Sequence, residues 1–126
     1  MNIPGPGAFR IPSSIFSVDS LKDVAETLSE PPAKVNHVCN AETVREEAEV
    51  LLPATVRIDK LPKNVEFANR IASYQANYSR DGQTIKVVRT LVKRFPRGFC
   101  TPEESVVFRE VAEVVKKDIG AQVLYQ

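Results

Sequence analysis

Residues 72–91, ASYQANYSRDGQTIKVVRTL, and residues 101–119, TPEESVVFREVAEVVKKDI, decide the fold: a β-hairpin followed by an amphipathic helix. Two alternating runs flank Asp81-Gly82, and a two-residue type I′ turn there puts the positive φ angles on aspartate and glycine. In that register Tyr78 faces Ile85, Ala76 faces Val87, Tyr74 faces Arg89 and Ala72 faces Leu91, which makes a mainly apolar face. The other face pairs Asn77 with Lys86, Gln75 with Val88 and Ser73 with Thr90, the wet side of an antiparallel sheet packed on one side only.

The helix start is written locally. Thr101 is an N-cap, Pro102 stands at N1 where its missing N–H costs nothing, and Glu104 closes a capping box, while both glutamates complement the helix dipole. Val107, Phe108, Val111, Val114, Val115 and Ile119 form the apolar stripe, Lys116 and Lys117 fill the last turn, and Gly120 ends the helix. This stripe is expected to cover the Tyr78/Ile85 face of the hairpin. Residues 121–125 are long enough to return as one more strand.

Upstream, residues 34–39 and 44–52 read as strands, the second broken by Pro53, and residues 55–59 form a further short strand before Leu61-Pro62. Residues 20–29 place Leu21, Val24, Ala25 and Leu28 on one helical face, with Ser20 as N-cap, Asp23 in the first turn and Pro31-Pro32 as the stop. Residues 1–16 contain Pro4, Gly5, Pro6, Gly7 and Pro12, a composition that cannot hold a regular element and suits a linker or an arm lying on a neighbour. The expected organisation is therefore a linker or arm with a short helix over 1–33 and a domain over 34–126. The fold class is α+β: an antiparallel sheet of about five or six strands, one main helix on one face and a minor N-terminal helix.

Composition narrows the function classes. A chain of 126 residues, 43% apolar and 26% charged with a formal charge of +1, has the size and balance of one ordinary globular domain. No apolar run reaches the length of a membrane span, and the start, MNIPGPG, lacks the basic and apolar regions of a signal peptide. The expected compartment is the cytoplasm if the chain is complete, and the periplasm or exterior if it is cut from an exported precursor. Seven basic residues between Arg70 and Arg97 face one acid, Asp81, yet strand period sends Lys86 and Arg94 to one face and Arg89 and Lys93 to the other. With no aromatics on the polar face to stack bases, nucleic acid is a poor partner.

From Pro53 onward the chain carries Leu61-Pro62, a Tyr-x-x-x-Tyr strand, Asp81-Gly82, Val-x-Arg, Phe95-Pro96, Cys100-Thr-Pro-Glu-Glu and a Phe-containing helix. As an ordered set these motifs resemble the C-terminal accessory domain of bacterial transglutaminase-like proteins, over about two thirds of the chain. The resemblance implies a non-catalytic tail beside a papain-like core, with a protein (that core or another) as partner and no cofactor. Residues 1 to about 33 have no counterpart in it.

Candidate site residues are few. Cys100 with His37 is the one thiol and base combination, but a papain-like core puts its cysteine inside the first helical turn and its histidine later in the chain. Cys100 also reads as a small buried hydrophobe, or as one end of a Cys39–Cys100 disulfide stabilising by roughly 3 to 4 kcal/mol. His37 reads as a strand side chain without ligand partners, so no metal is expected. Arg89 falls on the apolar face, where it could hold a ligand carboxylate, or stack on Tyr74 and pair with a helix acid such as Glu104 or Glu110. Arg94, Phe95 and Arg97 form the expected exposed contact segment, because Pro96 interrupts the ladder. The function expected is that of an accessory or interaction module without a complete catalytic constellation. The alternative is a small ligand-binding protein or Cys-dependent enzyme using a helix/sheet cavity lined by Arg89, Tyr74 and Cys100.

Overall fold

The computed structural model describes residues 7–11, 21–31 and 33–126. In chain order the elements are β1 (Gly7–Arg10), α1 (Leu21–Glu26) with a 3-10 turn over Thr27–Ser29, β2 (His37–Val38), β3 (Glu42–Leu51), β4 (Ile58–Lys60) and β5 (Val65–Ala68). There follow β6 (Ala72–Asp81), β7 (Thr84–Lys93), β8 (Phe99–Cys100), α2 (Pro102–Ile119) and β9 (Gln122–Tyr125). The fold is mixed α and β with antiparallel pairing throughout. In place of one sheet of five or six strands, these nine strands form three sheets, ordered β3-β7-β6-β5, β1-β9-β4 and β2-β8.

The β6–β7 hairpin keeps the expected faces and changes the expected partners. Tyr78 pairs with Val87, Ala76 with Arg89, Tyr74 with Leu91 and Ala72 with Lys93, a shift of two residues, and Asn77, Gln75 and Ser73 now meet Val88, Thr90 and Val92. The loop is Gly82-Gln83, closed by Asp81 opposite Thr84, with a positive φ at Gly82 alone. That is the pattern of a type II′ turn, which spares Asp81 the left-handed conformation a type I′ turn would impose. Because side chains alternate with period two, a two-residue slip leaves each residue on its own face.

α2 begins as expected. Thr101 accepts the Glu104 amide at 3.2 Å, and Glu104 accepts the Thr101 amide at 3.0 Å, completing the capping box. Gly120 ends the helix with an ordinary right-handed φ of −81°, its amide bonded to the Lys116 carbonyl at 3.1 Å. Val111, Ala112 and Val115 are fully buried against the hairpin face that carries Tyr74, Ala76, Ile85, Val87 and Leu91. Asn69 pins the sheet to the helix: Oδ1 accepts the Ile71 and Ala72 amides at 3.0 Å, and Nδ2 donates to the Val107 carbonyl at 3.0 Å.

Several expected boundaries move. The strand expected over 34–39 contracts to His37–Val38, since its partner β8 has only two residues between the Arg97-Gly98 bend and the Thr101 cap. The strand expected over 55–59 begins at Ile58, after a turn closed by the Val56 amide on the Pro53 carbonyl at 3.0 Å. β5 is a strand beyond those the sequence predicts, an edge strand whose register comes from β6. The proline-rich start holds a strand after all, because β9 offers β1 an open edge and Phe9 meets Tyr125 with ring centroids 5.9 Å apart. α1 packs on α2, and its first amide, at Leu21, donates to the buried Glu46 carboxylate at 3.1 Å. The expected Ser20 cap, the Asp23 side chain and Pro32 lie outside the described residues.

Gly82 supplies a direct test of the turn. A β-carbon there meets nothing within 4 Å, so Gly82→Ala acts through φ alone and is expected to cost about 1–2 kcal/mol, read from the urea midpoint at unchanged m-value. Gly98→Ala, equally open in space and without a positive φ, is the control and is expected to leave the midpoint nearly unchanged.

Candidate functional site

Arg89 projects from β7 into the space under α2 and is 1% exposed. Its Nε donates to Asp118 Oδ2 at 3.2 Å, and its Nη2 donates to the Ile11 carbonyl at 3.1 Å and the Tyr78 hydroxyl at 3.4 Å. Asp118 also accepts the Tyr78 hydroxyl at 2.7 Å and, on Oδ2, the Tyr74 hydroxyl. The helix acid that meets Arg89 is thus Asp118. Glu104 is engaged by Thr101 and Arg97, and Glu110 points outward toward Asn69, so neither of the expected acids reaches it. Asp118 lies seven residues beyond Val111 and three beyond Val115, on the buried stripe, a spacing visible in the sequence.

A carboxylate in the last helical turn opposes the helix dipole, and here it is compensated by the guanidinium and the two phenols packed against it. The phenols respond in kind. Burial, then the bond to Asp118, pushes Tyr78 up to about 12 and drives Tyr74 higher still. Burial works against the Arg89 charge, but the Tyr78 oxygen, Asp118 and Tyr74 outweigh it and raise its pKa. Among the described residues no buried side-chain nitrogen or oxygen lacks a partner. Tyr74 and Arg89 are held by the protein's own groups.

The other expected contact residues divide. Arg94 is exposed, with Nη1 on Ser73 Oγ at 3.0 Å and Nη2 on the Asn69 carbonyl at 3.2 Å. Arg97 forms an ion pair with Glu104 and lies over the Phe99 ring at 4.9 Å. The Thr101 amide, with Arg97 beside it, holds the Glu104 carboxyl below its ordinary pKa. Phe95, expected at the surface, turns inward at 8% exposure and packs on Phe108 with ring centroids 5.5 Å apart.

A cleft of about 370 Å³ opens between the β2–β8 ribbon, the end of the 3-10 turn and the first half of α2. Cys39 and Cys100 are joined on its wall as a disulfide, with Cα atoms 5.5 Å apart and a sequence separation of 61. His37, which the sequence presents as a lone strand residue, sits opposite Cys100 in the ribbon. The ligating atoms of His37, Cys39 and Cys100 all lie within 4.8 Å of one another. The His-x-Cys spacing puts His37 and Cys39 on one strand face and was legible; Cys100 reaches them only through the β2–β8 pairing. With both sulfurs bonded there is no thiol nucleophile in this state. The cations at the rim are already engaged, Lys93 by Glu42 at 2.9 Å and Arg109 by the Glu30 carbonyl at 3.1 Å.

Removing one half of the buried pair leaves the other uncompensated, so Asp118→Ala is expected to destabilise the domain by about 3–5 kcal/mol in urea unfolding. Replacing both charges, Arg89→Met with Asp118→Leu, is expected to cost less than Asp118→Ala alone. Simple additivity of the two sites would contradict their direct coupling.

No helix among the described residues is long and apolar enough to cross a membrane. No curated protein and no solved structure matches the chain. Residues 38–125 match the family described as a domain of unknown function with a solved structure, DUF3858, so the match takes in the hairpin, α2, β9 and both cysteines. That span is well over half of the chain, and the protein belongs to the DUF3858 family.

Proposed function

We propose that this chain is a non-catalytic accessory or protein-interaction module associated with a transglutaminase-like protein. The observation that supports this reading best is the closed helix–sheet interior: its reactive side chains, Arg89, Asp118, Tyr74 and Tyr78, are consumed by one another and offer nothing to a substrate. What the domain presents outward is the wet face of the four-stranded sheet, with Gln75, Asn77, Glu47 and Glu49, and the exposed Arg94 beside it. Such a surface suits a polar, reversible contact with a neighbouring domain. The ordered motifs from Pro53 to the α2 cap, which resemble the tail of transglutaminase-like proteins, supply the class of neighbour.

A second reading, a small ligand-binding protein, draws on the cleft beside the disulfide, where the walls carry the one cluster of His and Cys side chains among the described residues.

Calorimetric titration of the chain into the papain-like core of a bacterial transglutaminase-like protein tests the first reading. Saturable binding with a Kd on the order of micromolar is expected, weakened by about tenfold in Arg94→Glu. Absence of binding, or binding indifferent to charge on the sheet surface, contradicts it.

A further inference from the structure

We propose that reduction of the Cys39–Cys100 disulfide opens a binding site for a thiophilic divalent cation, zinc above all, formed by His37, Cys39 and Cys100 on the cleft wall. This goes beyond the accessory-module reading and does not depend on it.

The donor set comes from the ribbon. Cys39 follows His37 by two residues, and the Cys39 amide bonds the Gly98 carbonyl at 3.1 Å, which continues the β2–β8 ladder by one step. His37 and Cys39 therefore share a face, and Cys100, opposite His37, shares it with them. All three donor atoms lie within 4.8 Å of one another. Thiolates bound to one tetrahedral zinc with Zn–S near 2.3 Å stand about 3.8 Å apart, so the sulfurs need only part by a side-chain rotation of one cysteine. Cys100 is 1% exposed and stays packed; Cys39 is half-buried on the cleft side and has the room to turn. His37 is exposed, which leaves its imidazole free to swing toward the sulfurs and gives the ion a path of entry.

Two thiolates and an imidazole are a borderline-soft set that favours zinc over magnesium or calcium. The fourth position opens into the cleft, where water or a small anionic ligand fits. A disulfide whose role is solely to staple the fold has no need of an imidazole at that distance. The sulfurs also staple a long loop, so the same pair serves as cross-link when oxidised and as ligands when reduced.

The chemistry balances with a dithiol as the named reductant. The dithiol transfers two hydrogens to the cystine, leaving two cysteine thiols and its own cyclic disulfide. Binding of the divalent ion then releases the two thiol protons, and the neutral imidazole donates a lone pair. A small disulfide as oxidant re-forms the cystine by thiol–disulfide exchange, taking the two electrons and leaving as two thiolates of its own, which removes two of the three ligands and expels the ion.

The test uses the full chain, oxidised and dithiothreitol-reduced, each freed of reductant and metal under nitrogen. Cobalt(II) and zinc(II) are the probes. The reduced chain is expected to bind about one ion and to show a near-ultraviolet thiolate-to-cobalt charge-transfer band that the oxidised chain lacks. Zinc is expected to raise the Tm of the reduced chain, because the ion binds the folded form. His37→Ala, a change at an exposed position, is expected to weaken binding by about tenfold or more while keeping the thiolate band. Equal uptake by both redox forms, cobalt bound without the band, binding without a rise in Tm, or indifference to His37→Ala each overturns the proposal.

Discussion

The guanidinium of Arg89 lies at the centre of the domain, on the middle strand pair of the larger sheet and under the main helix, nearly closed to water. A charge in that position is several kcal/mol unfavourable unless it is met, and here it is met by Asp118 with the Tyr74 and Tyr78 hydroxyls arranged around the carboxylate. Replaced by packed apolar groups, such a pair often costs little; its larger effect is on register. Sliding α2 by one turn would carry Asp118 away from Arg89 and from the Tyr74 and Tyr78 hydroxyls, so the polar cluster selects one placement of helix on sheet from those the apolar stripe alone would allow. The Ile11 carbonyl, bonded to Arg89 Nη2 at 3.1 Å, extends the same constraint to the segment after β1.

The periphery follows from this centre. With α2 placed, its capped start sets Cys100 beside the helix, β8 aligns with β2, and the Cys39–Cys100 cross-link and His37 come to one wall of the cleft. At the far end Gly120 releases the chain into β9, which accepts β1 on one edge and β4 on the other. Interior and cleft are therefore chemically distinct. The first spends its polar groups on itself, and the second keeps a histidine exposed near two sulfurs.

What was legible in the sequence was local. The Thr101-Pro102-Glu103-Glu104 start of α2 needs only neighbours within one turn, and the alternation of β6 and β7 assigns every side chain to a face whichever two-residue turn is used. The hairpin partners were not legible, since Gly82 satisfies a type I′ turn as its second residue and a type II′ turn as its first. β1 and β5 carry no local signal of their own, because each depends on an edge supplied elsewhere in the chain. The break that Pro96 makes in the ladder points to an outward Phe95, whereas the ring turns in to Phe108. Asp118 and the His37-x-Cys39 spacing carried readable signals, the first as a polar residue on an apolar stripe and the second as a shared strand face. Their meaning came from partners distant in sequence.

An alkaline titration of the Tyr125→Phe chain, in which Tyr74 and Tyr78 are the remaining phenols, tests the buried cluster most directly. Both hold their protons more tightly folded than unfolded, so their contribution to stability is complete below the ordinary value of 10.0 and is lost as pH rises through about 12 for Tyr78 and at higher pH for Tyr74. The account predicts that tyrosinate absorbance stays low at pH 10 and then rises together with loss of the folded circular dichroism signal. Ionisation of both phenols near pH 10 with the fold intact would contradict it.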